Sequence, residues 1–427
     1  MSKTSEGAIQ NILSLIHDEQ LMAFVQEKSR IYESKAEFGA SEIPCGLSVE
    51  EAWELVSFVR RVNGWPTVRS QMPRAGKPLT PDLAFQTVPP AVEEAVNELA
   101  ARAGAHSQLW ASLRPLVQNR RLIQPIADDL AAAAQRERID VGSEAIRALV
   151  LGTMAPRTDA ERLVANTLAL LRRDPPSDFP SSSSVQHIYE CIMEGVSLAP
   201  SELPVVQPVS SMPDAFHLRR ASIEEISNEI IHAGQWGVHP LLGVIMTSGV
   251  LWNNMTVGTA NGFLEIALRH YALAAIGLPA LAVVPYSLLR LNWERGTSPE
   301  LMEPFRYGEA FLVSEFGLDC TPYLIQMLSM MTHYIGRLEE EVAALEEEDA
   351  TKRERIERDA RLSHRQKQLL ETMIANPAET ADVGSYAQRF DCAVSTARDD
   401  LNRLVDLRYC TTAYRGKKQV FWLNALD

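Results

Sequence analysis

Cysteine and histidine are scarce in this sequence, and neither occurs at a spacing typical of a metal site. The 427 residues include five cysteines and nine histidines, and no two cysteines form a CxxC pair. Few, widely spaced cysteines in odd number argue against a disulfide framework, and the missing pairs argue against a zinc site. We therefore expect a protein of the reducing cytoplasm without a metal centre.

Positive charge is also in short supply. The chain carries 41 Lys and Arg against 55 Asp and Glu, a formal net charge of −14. A chain of this charge does not attract nucleic acid as a whole, so any such contact must come from a local basic patch. Hydrophobic residues make up 46% and charged residues 22%. This balance is typical of a soluble globular protein, and the length allows two or three domains.

Two stretches without charged side chains, residues 240–264 and 271–289, approach the length of a membrane span. The first contains three asparagines, and the second is interrupted by Gly277, Pro279 and Pro285. We therefore expect buried helices of a soluble bundle and no membrane partner. The polar N-terminus lacks the apolar stretch of a signal peptide, which agrees with a cytoplasmic location.

Helical periodicity dominates the chain, which places it in the mainly α class. We divide it into an N-terminal helical region (1–85), a helical domain (86–345), a charged connecting helix (346–361) and a C-terminal unit (362–427). Helices are predicted in residues 89–104, 121–138, 159–173, 222–234 and 321–363, and a serine of the run SSSS is expected to cap the helix that contains VQHIYECIMEGV. Residues 199–214, rich in Pro, Ser and Val, predict a β-hairpin or flap.

The C-terminal unit shows the element order of a winged helix-turn-helix. The helix HRQKQLLETMIAN is followed by a short helix, VGSYAQRF, a turn, DCAV, and a longer helix, STARDDLNRLVDLR. Two β-type runs, YCTTAY and QVFWL, flank the turn RGKK. In this fold the second helix of the pair enters the DNA major groove and the hairpin forms the wing.

This order assigns a set of candidate DNA-binding residues. We expect Val394, Ala397, Leu401 and Leu404 to face the core, and Ser395 to cap the helix and contact a phosphate. The candidate residues on the helix and the wing are Ser395, Thr396, Arg398, Arg403, Arg415, Lys417 and Lys418. Residues 362–427 contain nine basic and eight acidic residues, so the patch is thin. A winged helix used for protein contact stays open as the alternative.

The central segment resembles the Fic (Fido-fold) family over residues 90–345. A helix precedes HPLL, a buried helix follows, and a loop leads to the helix opened by Asn261-Gly262. The segment GLDCTPYLIQMLSMMTHYIGRL is similar to a later helix of that family. The resemblance implies a Fic-like helical bundle. In active members it also implies transfer of AMP from ATP to a hydroxyl, with a loop reading HPFx(D/E)GNGRxxR.

Alignment from His239-Pro240 shows that most of this motif is lost. Asn261 and Gly262 are kept, and the other motif positions are replaced. The family's histidine falls on Met255, its Pro-Phe pair on Thr256 and Val257, its acid on Thr259, its first glycine on Ala260, and its two arginines on Phe263 and Ile266.

Each replacement removes a chemical capacity that the resemblance implies. Methionine cannot accept a proton, and threonine is a poor Mg²⁺ ligand beside a carboxylate. Phe263 and Ile266 present no cation to a triphosphate. The start of the helix leaves a weak anion or nucleotide site, to which Arg269 can add one charge.

Many members of the family also restrain their site with a helix that carries (Ser/Thr)xxxE(Gly/Asn). The nearest frame here gives Ala133, Glu137 and Arg138, and only the glutamate fits.

These observations lead to two hypotheses. The first is a DNA-binding transcriptional regulator, dimeric, whose Fic-like domain has lost its catalytic motif and serves for dimerisation or for binding a partner or ligand, with no cofactor. The second is a divergent Fic-type nucleotidyltransferase that uses other residues.

Overall fold

The computed structural model describes residues 17–33, 35–66, 84–198, 238–253, 257, 259–297, 310, 312–314, 317–376, 379–415 and 418–424. The hairpin expected at 199–214 and the helix expected at 222–234 lie outside the described residues, as do Met255, Thr256 and Lys417. The chain forms two compact units, one from residues 1–105 and 124–335 and the other from residues 106–123 and 336–427. The boundaries expected at residues 85, 345 and 361 stay predictions.

The chain is mainly helical, as predicted. The helices are α1 (Glu19–Arg30), α2 (Lys35–Gly39), α3 (Val49–Val62), α4 (Pro90–Ala103), α5 (Gln108–Gln118), α6 (Gln124–Arg136), α7 (Ser143–Leu151), α8 (Asp159–Leu170), α9 (Ser182–Ile192), α10 (Pro240–Asn253), α11 (Asn261–Ala275), α12 (Tyr286–Arg295), α13 (Thr321–Arg358), α14 (His364–Ala375), α15 (Val383–Phe390) and α16 (Val394–Asp406). Short 3-10 turns occupy Pro44–Gly46 and Pro279–Val283.

Several helices begin where the side chains satisfy free backbone N–H groups. Ser181 accepts a hydrogen bond from the backbone N–H of Ser184 and caps α9, which confirms the expected serine cap. Ser48 and Glu51 form a reciprocal capping box at the start of α3.

The first unit contains a small sheet that the sequence did not predict. Its strands are β1 (Trp65–Pro66), β2 (Ala84–Gln86), β3 (Leu312–Ser314) and β4 (Gly317–Asp319). They are arranged in the order β1-β2-β4-β3, with β2 and β4 parallel and the two outer pairs antiparallel. Strands of two or three residues are too short to show an alternating pattern, which explains why they were missed.

Helix α11 forms the centre of the first unit. It packs against α6, α8, α9 and α10, and residues 261–269 are buried on every side. A helix surrounded by other helices can be apolar all round, which explains the uncharged stretches of the sequence. Among the described helices, none has the length and apolarity that crossing a bilayer requires.

The second unit contains α5, α14, α15, α16, the C-terminal part of α13 and one hairpin. Its strands β5 (Cys410–Arg415) and β6 (Lys418–Leu423) pair antiparallel, with Cys410 opposite Leu423. An antiparallel bridge between Ala381 and Phe421 joins the segment before α15 to this hairpin. The predicted order of three helices and a hairpin is confirmed.

The charged part of α13 is less solvated than expected. Val342, Asp349 and Ile356, seven residues apart, are all buried. Asp349 Oδ1 accepts a hydrogen bond of 2.8 Å from Arg121 Nη2, so the acidic side chain is paired within the second unit. Periodicity at residues 342, 349 and 356 therefore continues beyond Leu345 with an ion-paired acid in place of an apolar residue.

Candidate functional site

The turn before α11 is closed by its own residues. Ala260 has a φ of 63°, in the left-handed region that favours glycine, and it lies directly before the helix. The Asn261 side chain spans the turn: its Oδ1 accepts from Val257 N and its Nδ2 donates to Val257 O, both at 3.0 Å. The amide that sequence analysis placed at an anion site is thereby used to hold the turn.

Glu137 occupies the start of α11. Its Oε1 accepts a hydrogen bond of 2.6 Å from the backbone N–H of Gly262, and the residue is buried. The N-terminus of a helix favours a negative charge because its first N–H groups are free and its dipole is positive there. A carboxylate of the chain itself therefore binds a backbone donor that an external anion would use.

Glycine is needed at position 262 because two helices approach closely. A Cβ added to Gly262 would lie 2.9 Å from Ala133 Cβ and 3.3 Å from Glu137 Oε1. The helix α6, which contains Ala133, therefore packs directly against the first turn of α11. The frame that sequence analysis drew through Ala133 and Glu137 lies beside this turn.

The other residues of the degenerate motif loop are buried. Thr259 is 5%, Phe263 is 0% and Ile266 is 4% exposed. Met255 lies outside the described residues. The apolar side chains at the two positions that correspond to arginines are part of the core and present no charge at the turn.

Arg269 is engaged in a buried ion pair network. Its Nε donates to Glu265 Oε1 at 2.8 Å, its Nη2 donates to Asp129, and its Nη1 donates to the Val284 carbonyl at 3.2 Å. The guanidinium also lies 4.1 Å from the ring centre of Tyr286. Its donors are therefore directed at partners within the chain.

The charges of this network stabilise one another. Burial disfavours a charged Arg269, but the carboxylates of Asp129 and Glu265 outweigh it and raise the pKa of Arg269. Burial would raise the pKa of Glu265, and the charges of Arg269 and Arg290 overcome that effect and lower it. For Asp129 burial prevails over Arg269 and raises its pKa.

Sequence analysis missed most members of this network. Ser248 Oγ contacts both Glu265 and Arg290, and Arg290 Nε donates to Tyr323 Oη at 2.9 Å. A signal was present in the pair Glu265 and Arg269, which lie four residues apart within an otherwise apolar helix and so share one face.

The space beside the network is too small for a nucleotide. A cavity of about 10 Å³ is lined by Thr247, Ser248, Glu265 and Arg269, together with apolar side chains. This is about the room that a single water molecule needs. Within the part of the chain that the structure describes, no group of three or more His, Cys, Asp or Glu side chains is placed to hold a metal ion.

In the second unit, α16 presents basic side chains to solvent. Ser395, Arg398 and Arg403 are exposed and Thr396 is half-buried. Neither Arg398 nor Arg403 forms a salt bridge with any described residue.

On the hairpin, Lys418 is exposed, with its Nζ 3.8 Å from Asp382 Oδ2. The side chain of Arg415, in β5, lies outside the described residues, as does Lys417.

Two expectations for the first turn of α16 are wrong. Ala393, not Ser395, is the N-cap residue, and no side chain caps the helix. Val394 is 58% exposed, whereas Ala397, Leu401 and Leu404 are fully buried as expected. The core of the unit ends before the first turn of α16, so the apolar side chain at its start remains uncovered.

One of the two adjacent acids on α16 is neutralised. Asp400 Oδ2 accepts hydrogen bonds from Arg365 Nη2 at 3.0 Å and from Tyr386 Oη at 3.1 Å. Burial and the Asp400 charge raise the pKa of Tyr386, so the phenol stays protonated and donates. Asp399, the neighbour of Asp400, is exposed.

Comparison with known proteins gives limited information. No protein-family model matches the chain, and no curated protein matches it. Among solved structures, it is similar to a crystal structure of a Fic family protein from Desulfovibrio desulfuricans G20, with a TM-score of 0.45 and 14% sequence identity. The similarity covers 80% of this chain and 98% of that chain. A likeness this low supports no conclusion about function.

Proposed function

We propose that this protein is a DNA-binding transcriptional regulator. Its C-terminal unit acts as a winged helix-turn-helix, and its Fic-like helical domain, without catalysis of its own, serves for dimerisation or for binding a protein partner or ligand. The observation that carries the proposal is the outward face of α16, where Arg398 and Arg403 are exposed and form no salt bridge within the described residues.

The local charge supports contact with DNA despite the acidic chain. Arg365 and Tyr386 hold the Asp400 side chain, which is 14% exposed, so this acid weakens the basic face less than its count suggests. Lys418 adds a positive charge on the hairpin, although Asp382 lies near it. Cations on the helix and the hairpin are placed for phosphate contacts on a duplex.

The state of the turn before α11 supports the absence of catalysis. Glu137 bonds to the Gly262 N–H, Asn261 bonds to Val257, and Arg269 pairs with two carboxylates. These groups are the ones that the sequence left available for a triphosphate. With each of them engaged inside the chain, the Fic-like domain has no evident means of activating ATP.

The test is DNA binding by the full chain. We expect a mobility shift with genomic fragments that include the gene's own promoter at low salt, and weaker binding by Arg398→Ala and Lys418→Ala. Each lost phosphate contact should reduce the slope of log affinity against log salt by about 0.9. Arg157→Ala, an exposed arginine of the first unit, is the matched control and should bind as the unaltered chain does. Absence of binding at low salt would refute the proposal.

We also propose that the regulator binds its operator as a homodimer, since a two-fold symmetric protein fits an inverted repeat. Sedimentation of the protein alone and with operator DNA measures the number of chains. Two chains per duplex is the expected result, and one chain on every duplex would contradict it.

A further inference from the structure

A ridge of three exposed side chains runs along α16. Residues four apart on an α-helix are offset by about 40°, so Val394, Arg398 and Asn402 lie within about 80° of one another. All three are exposed, and Val394 is 58% exposed. We call these three residues the α16 ridge.

The ridge faces away from the core of its own unit. Ala397, Leu401 and Leu404, which are fully buried, occupy the inward side of the same helix. Among the described residues, neither Arg398 nor Asn402 forms a side-chain hydrogen bond or salt bridge. Their polar groups are therefore available to a partner.

We propose that the α16 ridge reads bases in the DNA major groove and that the preferred duplex carries thymine, guanine and adenine under Val394, Arg398 and Asn402. This inference rests on the proposed function and deepens it. Arginine pairs with the O6 and N7 atoms of guanine, asparagine with N6 and N7 of adenine, and an apolar side chain contacts the methyl group of thymine.

The dimensions of the ridge suit this reading. Eight residues of helix separate Val394 from Asn402, a rise of about 12 Å. At about 3.4 Å per base pair, the ridge spans between three and four base pairs. The three bases should therefore fall within one short half-site.

The charges around the ridge set the direction of entry. Asp406 continues the ridge at the end of the helix, Asp399 lies on the adjacent row, and both are exposed. Phosphates repel Asp406, so the start of α16 enters the groove and its end tilts away. Arg403, one residue beyond Asn402, is offset by about 100° and is placed for a phosphate rather than a base.

Duplex DNA fits this surface better than a protein partner does. The ridge combines one aliphatic side chain of modest size with a cation and an amide. Protein docking faces usually present a contiguous apolar centre with aromatic residues, which this row lacks. Base edges, in contrast, offer the matching donors, acceptors and methyl group.

The test is selection from a random-sequence duplex library by the full chain and its variants. We expect Asn402→Ala to lose preference for adenine at one position, and Arg398→Ala to lose preference for guanine at another, each by about tenfold or more. The other positions of the motif should not change. Arg403→Ala is the matched control and should lower affinity for all sequences alike. Far-UV circular dichroism of each variant checks that the fold is retained.

Val394 has a test of its own. Replacing thymine by deoxyuridine in the selected duplex removes only the methyl group, so binding by the unaltered chain should weaken and binding by Val394→Ala should not respond. If the chain binds duplexes without base preference, or if the variants select the unaltered motif, the ridge does not read bases although DNA binding stands. If no duplex binds at low salt, both proposals fail.

Discussion

Replacing Arg269 by methionine should destabilise the first unit severely. Arg269 is 2% exposed and pairs with Asp129 and Glu265, which are 5% and 0% exposed. Methionine fills similar space without a charge, so the change removes the cation and leaves the two carboxylates. Arg290 remains 3.6 Å from Glu265, but Asp129 keeps only the backbone N–H of Ser287 as a donor, at 2.6 Å.

The expected magnitude follows from this loss of partners. Removing one member of a buried ion pair lowers the free energy of unfolding by about 3–5 kcal/mol, because the remaining charge is left without compensation. Asp129→Asn leaves Arg269 paired with Glu265 and should cost less, about 1–3 kcal/mol. The double variant should be more stable than the sum of the two single losses predicts, by about 1 kcal/mol or more.

Urea unfolding followed by far-UV circular dichroism measures these free energies, with Arg157→Met as the control at an exposed position. A loss below about 1 kcal/mol for Arg269→Met, or strict additivity with Asp129→Asn, would show that the buried pairs do not stabilise the fold as argued. Either result would return Arg269 to the role of a residue available to a ligand.

Three further predictions address the same unit. Gly262→Ala should lower the free energy of unfolding by about 1–2 kcal/mol, because overpacking against Ala133 outweighs the helical preference of alanine; Gly142→Ser, where an added Cβ meets no atom within 4 Å, should not, and equal stabilities in a thermal melt would contradict this. Burial and the nearby Arg269 charge lower the pKa of His270 to about 4, below its ordinary value of 6.5. The unfolded chain therefore binds the proton first, and stability should fall by about 2–3 kcal/mol from pH 7 to pH 4, a loss that His270→Gln should reduce in urea titrations and that would be identical in both chains if His270 were solvated. Glu137→Ala should leave the Gly262 N–H unpaired and lower stability by about 1–2 kcal/mol, yet labelled ATP with Mg²⁺ should transfer no AMP to lysate proteins; label that depends on Asn261 would establish the nucleotidyltransferase.

Local rules predicted much of the fold. Pro90 at the start and Gly104 after the end bound α4, and Ser181 caps α9, as expected from capping chemistry that involves only neighbouring residues. The order of helices and hairpin in residues 364–423 was predicted for the same reason. The strands β1 to β4 were not, because pairs such as Phe85 with Asp319 join distant segments.

The two candidate sites differ in the same way. The loss of a proton acceptor and of the two arginines at residues 255–266 can be stated from the amino acids alone, since methionine, phenylalanine and isoleucine lack the necessary groups. Val394 was assigned to the core on helical spacing, and this was wrong, because spacing gives the side of a helix and not where the neighbouring core ends. Asn402 was not singled out, because its exposure beside Arg398 depends on the packing of α16.

By itself, the sequence determined which residues can carry charge or accept a proton, and where most helices begin and end. Only the tertiary structure decided which of those groups are free. Glu137 meets Gly262 across 125 residues and Asp129 meets Arg269 across 140. Such pairings depend on how helices pack in three dimensions, because a charge in the core is stable only when its partner is brought within bonding distance.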